Sequence, residues 1–254
     1  MENPEELDDF ITIDLQPRQA VIDRLSILHA FVERSMLEAV TEVDGGTSEI
    51  EERRFDLLAE LLSSHAADSL IPEELEIMQM PIGQIPDDQQ ASVILSAEAF
   101  GLLGKACGLI RELPLPPNPV GSSEELLESI LAMTPEEIAE HVQLPAEEEA
   151  ATMLEVAEVI HWRADVEFGA RLDGGQLTED EKESILAVGA EAERSGLATT
   201  YPSGDLRIGN KPIRKWTDDE VETFYIVSLQ QRIALEWLCT AGQTWTILTE
   251  EDDD

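Results

Sequence analysis

The sequence predicts a mainly α protein: a single multi-helix domain with one small β-hairpin or short sheet near its C-terminal part. Three observations predict it. Apolar residues return at steps of three and four over most of the chain, the period of an amphipathic helix. Helix-start signatures recur, each a hydroxyl residue followed three positions later by glutamate. Only 197–214 departs from the pattern, with extended residues flanking a "PSGD" turn. The chain has 254 residues, 43% of them hydrophobic, so a sizeable core can be buried, and no internal repeat divides it.

The elements follow in order. Residues 1–16 read as an acidic N-terminal arm whose "FITIDL" is extended or a first strand. After Pro17, Val21, Leu25, Leu28, Val32, Met36 and Val40 mark one face of a helix that "DGGTS" ends. A second helix follows, with Phe55, Leu58 and Leu62 on its apolar face. Prolines at 72, 81 and 86 cut the next stretch into short pieces. The run 91–113 is apolar nearly all round and predicts a central helix, stopped by "PLPPNP". That proline stretch, 114–119, is too short to separate independent domains. Ser122 with Glu125, Thr134 with Glu137, Thr178 with Glu181 and Thr217 with Glu220 open four further helices. Another begins after Pro145 with "EEE", placed at the positive end of its dipole, and "DGG" stops it near 170. The helix from Thr217 to about Thr240 carries two apolar stripes: Ile226, Leu229, Ile233 and Trp237 on one, Val221, Phe224, Leu235 and Cys239 on the other. "TWTIL" reads as a short strand and 249–254 as a disordered acidic tail. All four tryptophans fall in the last hundred residues, which places the best-packed core there.

Charge narrows the function classes. Sixteen basic against 55 acidic residues leave a net charge of −39. Such a field repels nucleic-acid phosphates and anionic membranes and attracts basic protein surfaces. The same composition also serves solubility or salt adaptation. Arg207, Lys211, Arg214 and Lys215 concentrate in the turn region, which is expected to dock on the chain's own acidic surface. Cys107 and Cys239 lie in separate apolar runs and read as buried thiols in a reducing compartment. No apolar leader opens the chain and no run reaches membrane-spanning length, so the expected location is the cytoplasm.

The most chemical stretch is "LEVAEVIHWRADVEFGARLDGG", residues 154–175. Glu158 and His161 are three apart on one helix face, half of the pattern that carboxylate-bridged di-iron bundles use twice. No other histidine has glutamate three positions before it. Asp165, four residues on, is spaced to orient the imidazole for general-base work, but no nucleophile is assigned beside it. The plainer reading is a hydrogen-bonded histidine on an apolar face with Ala157, Ala164 and Phe168. Arg232 pairs with Glu236 at helical spacing, or with Glu158 or Asp165 across a helix interface. Catalytic serine elbows, zinc-protease motifs, phosphate loops and calcium loops are all missing.

Three segments, "GLIRELPLP" at 108–116, "VIHWRADVEFGARLDG" at 159–174 and "QQRIALEWL" at 230–238, resemble the signatures of the bacterial domain-of-unknown-function 4272 family. The resemblance covers roughly 90–250 and rests on His161, Trp162, Arg232 and Trp237. Glu236 stands where the family has asparagine, "GKAC" replaces its tryptophan, and the stretch after Gly174 is longer. The resemblance implies a helical fold and no particular activity. A tryptophan on each of two helices suggests that these pack together, with His161 and Arg232 near the seam. The expected function is a non-enzymatic protein-interaction module, immunity-like or basic-partner-binding, with no cofactor. The alternative is a hydrolase or metal-dependent enzyme with a polar pocket around Glu158, His161, Asp165 and Arg232.

Overall fold

A computed structural model describes residues 13–44 and 47–246. Among these residues the chain forms nine α-helices and three short 3-10 segments, with two isolated β-bridges in place of any sheet. Most of the 1–16 arm and the tail at 249–254 lie outside the described residues. What is described of the arm runs extended beside the chain's last helix. Gln16 N–H donates to the Leu238 carbonyl at 2.9 Å and Asp14 forms a single parallel bridge with Thr240.

Helix α1 (Arg18–Asp44) is the long amphipathic helix that its spacing dictates, and it serves two cores. Val21, Leu25, Leu28 and Val32 enter the largest cluster, whereas Ile27 and Phe31 enter a second one. Helix α2 (Ser48–Ser63) is turned relative to the sequence expectation. Leu57 and Leu61 point inward, while Phe55 and Leu62 are 60% and 47% exposed. The phase is set by Arg54, which is buried. Its guanidinium donates to the carbonyls of Met78 and Gln79 at the end of α3 (Pro72–Gln79) and to Glu51 at 2.7 Å. Arg34 of α1 grips the next carbonyls, Met80 at 2.8 Å and Pro81 at 3.2 Å. Two cations thus satisfy the helix end where orphan carbonyls and negative dipole concentrate.

Helix α4 (Asp87–Ala106) is the central helix, with Ala99, Phe100 and Leu103 fully buried. It stops well before the prolines. Gly108 adopts φ 78°, and the amides of Leu109 and Ile110 fold back onto the Gly104 carbonyl at 2.7 and 3.1 Å. This is a glycine C-cap, a conformation costly for residues with a Cβ. The prolines that follow shape a wall and end no helix.

Short helices α5 (Glu124–Leu131) and α6 (Pro135–His141) come next. The cap of α5 is Ser123 and not Ser122, its hydroxyl accepting from Leu126 N–H. Helices α7 (Glu147–Leu172), α8 (Glu179–Arg194) and α9 (Asp218–Cys239) complete the fold. The boxes at Thr134, Thr178 and Thr217 all form. Helices α7 and α9 make the most extensive packing pair. They run antiparallel: Ala150 meets Cys239 at one end and Phe168 stacks on Tyr225 at the other, centroids 4.6 Å apart.

Three expectations need correction. The β-hairpin at 197–214 is a tight turn with one antiparallel bridge, Thr200 to Leu206. Ion pairs hold the segment to α7 (described below), so tertiary charge contacts replace a strand ladder. On α9, Ile226 is exposed, while Val227, Ser228 and Gln230 face inward. The principal core is not C-terminal. Its largest cluster joins α1 and α4 to α9, and Trp237 packs edge-on against Trp245 at 5.4 Å.

Candidate functional site

The α7–α9 seam gathers three of the four expected pocket residues loosely. His161 is half-buried, stacks against Tyr225 at 5.4 Å, and its Nδ1 lies 3.1 Å from Ser228 Oγ. Burial holds the imidazole below its usual pKa, the Arg232 guanidinium adds to this, and Asp165 opposes it. Arg232 is half-buried and its only described ion pair is the looser one foreseen, Glu236 at 3.8 Å. Asp165 and Glu158 are exposed. Glu158 lies towards the other end of the seam, where its charge bears on Cys239. Among the described residues no group of three or more His, Cys, Asp or Glu is placed to hold a metal ion. The four residues therefore do not converge on one pocket.

Ser228 is the side chain that spacing did not suggest, because it comes from a helix 67 positions away. A serine beside an imidazole invites a nucleophilic reading. The hydrogen bonds oppose it. Ser228 Oγ lies 2.9 Å from the Tyr225 carbonyl and is placed to donate there; with that bond made, His161 Nδ1 donates to Ser228 and takes no proton from it. Ser228 also sits in mid-helix, where backbone N–H groups are already spent on the preceding turn and leave none for an oxyanion. The cysteines are inert as well. Burial pushes Cys107 up to about 12 and Cys239 up to about 11.

Beside this cluster opens an apolar pocket of about 350 Å³. Leu102 and Ala106 of α4, the 113–116 proline wall, Ala157 and Ile160 of α7, and Ser228, Gln231 and Leu235 of α9 line it. Its walls come from the end of α4, the 113–118 stretch, the 152–160 part of α7 and the 224–235 part of α9. A volume near 350 Å³, mainly apolar walls and a few polar groups are the marks of a binding pocket.

Behind Gln231 lies Glu98, 2% exposed. It accepts from Gly121 N–H and from Gln231 Nε2, both at 3.4 Å. Among the described residues no cation pairs with it, and burial pushes its carboxyl up to about 7. Sequence reasoning missed Glu98 because it stands inside an apolar run with no charged residue three or four positions away.

Reasoning from spacing also missed most of a second cluster. Arg163, fully buried, grips Asp205 through Nε at 2.8 Å and Nη2 at 3.0 Å, and shares Glu167 Oε2. Glu167 Oε1 accepts from Arg171 at 2.9 Å and from Arg214 at 3.1 Å, and Arg171 also pairs with Asp218. Lys211 pairs with Glu220 and Arg207 lies over the Tyr201 ring. The basic turn thus docks on its own protein, as its charge suggested. Arg163 and Glu167 are readable at four-residue spacing; Asp205 is not. No family model, curated protein or solved structure matches the chain.

Proposed function

We propose that this chain is a non-catalytic, cytoplasmic protein-interaction module that binds a basic partner protein, in the manner of an immunity-type protein, and that it is related to the family its three segments resemble. The observation that carries the reading is the placement of charge. The most buried cations, Arg24, Arg34, Arg54 and Arg163, are each consumed by a carboxylate inside the protein. The first turns of α2, α5, α6, α7, α8 and α9 all carry acidic residues. In a chain of net charge −39 this leaves an outer surface that draws basic proteins and turns nucleic acid away. Among the described residues no helix is long and apolar enough to cross a membrane. Affinity capture from source lysate at low and high salt, with nuclease treatment, tests the proposal. A stoichiometric basic protein released by salt is expected; an empty eluate at low salt would sink the reading.

The hydrolase alternative is tested at its one serine–imidazole contact, His161 to Ser228 at 3.1 Å, whose hydrogen bonding argues against it. It requires the serine to react with a fluorophosphonate probe, and labelling must vanish in Ser228→Ala. Unlabelled wild-type protein removes it.

A further inference from the structure

The pocket at the α7–α9 seam has a chemical polarity that its apolar walls conceal. Four neutral polar side chains line it: Asn118, Thr152, Ser228 and Gln231. Each turns a hydrogen into the protein. Thr152 donates to the Glu148 carbonyl at 2.9 Å and Ser228 to the Tyr225 carbonyl at 2.9 Å. Asn118 donates to the Leu115 carbonyl at 3.1 Å, and Gln231 to Glu98 at 3.4 Å. What they leave for a ligand is more acceptors than donors: hydroxyl lone pairs and two amide oxygens, against one remaining N–H each on Asn118 and Gln231. Glu98 lies behind Gln231 and accepts one of its amide hydrogens, which leaves the Gln231 amide oxygen for the pocket. Carboxylates also extend the lining outward. Glu148 and Glu149 are exposed one turn before Thr152 and Met153 on the same face of α7, and Glu112 precedes Leu113.

One lining residue is cationic, Lys105. It sits in the last turn of α4, where the negative helix end holds its charge. Seven residues along a helix place it roughly 10 Å from Glu98, so the Gln231 end of the pocket is the acceptor end.

We infer that this pocket receives an apolar side chain of a basic partner segment, with that segment's N–H-rich cationic groups resting at the Gln231 end and on the acidic rim. The inference rests on the interaction reading above and adds where contact is made and by which chemistry. Apolar walls supply burial, acceptors and carboxylates select cations over anions, and Lys105 fixes orientation by repelling the cationic groups from its own end.

The test uses acetylated twelve-residue peptides, alternating Leu/Lys, Ser/Lys and Leu/Glu, titrated calorimetrically into the full chain at low and at physiological salt. Leu/Lys is expected to bind about tenfold or more tighter than Ser/Lys, and Leu/Glu not at all. Ala157→Trp, which fills the pocket, should reduce Leu/Lys to the Ser/Lys level. Leu115→Ser, at a rim position 70% exposed and outside the core, should do so in part and covers the case in which the tryptophan variant fails to fold. Equal binding of the two basic peptides, or Leu/Lys binding untouched by both variants, would overturn the pocket while leaving the interaction reading intact. Leu/Glu binding that Ala157→Trp abolishes would overturn the proposed chemistry. Silence of both basic peptides at low salt would overturn the interaction reading itself.

Discussion

Helices α7 and α9 border two polar clusters, each built around a buried glutamate, on opposite principles. In the cluster around Glu167, three arginines and three carboxylates neutralise one another and satisfy their hydrogen bonds within the protein. At the pocket, Glu98 is equally buried yet accepts only from neutral amides, and the neighbouring polar groups open onto a cavity. The first cluster fastens the 197–216 segment to α7. The second leaves unmet hydrogen-bonding capacity beside an apolar cavity. The difference teaches that burial of charge alone does not mark a binding site; incomplete satisfaction next to open space does.

The largest effect expected from breaking that contrast is at Glu167. Glu167→Ala leaves buried Arg163 short of one carboxylate and Arg171 and Arg214 without their shared one. Removing one partner of a buried ion pair costs roughly 3–5 kcal/mol, and faster amide exchange confined first to 197–216 in hydrogen-exchange measurements would identify the fastening role. An unchanged melting temperature would refute it.

Glu98→Gln should have the next largest effect, with the opposite sign. A carboxyl raised from 4.5 to about 7 in the folded state is protonated there while the unfolded chain is already ionised. Stability is therefore full below pH about 4.5, declines as pH rises towards 7, and is flat above, the loss amounting to roughly 3 kcal/mol. Glu98→Gln removes that slope and raises the melting temperature at pH 8. Denaturant titrations of both proteins at pH 5 and 8 decide it, and parallel slopes would exclude the assignment.

Smaller effects sharpen the seam. Ser228→Ala removes the acceptor of His161 Nδ1 and should cost about 1 kcal/mol. Arg232→Gln removes a nearby cation, so the His161 pKa should move up towards its ordinary value, followed by NMR titration of the imidazole. Its folded pKa lies below the unfolded one, so His161 subtracts stability as pH falls below about 6.5, and Arg232→Gln reduces that loss.

The helix starts at Thr134, Thr178 and Thr217 were legible in the sequence because a capping box is a local device, complete within four residues. The glycine stop at 108 was equally local, yet the prolines beyond it drew the prediction six or seven residues too far. The phase of α2 was not legible, since Arg54 faces inward only because α3 ends beneath it. Likewise, His161 was recognisable as a polar group on an apolar face, but its partner Ser228 was not.

By itself, then, the sequence determined the helical class, most helix boundaries and a charge that sets which partners approach. These follow from short-range periodicity, capping and composition, which need no knowledge of distant contacts. Tertiary structure alone decided that the basic turn forms no hairpin, that Asp205 reaches Arg163 across 42 positions, and that four separate stretches enclose one pocket. Those outcomes depend on which surfaces meet once the cores close, a choice governed by burial and by the gain from pairing charges that burial removes from water.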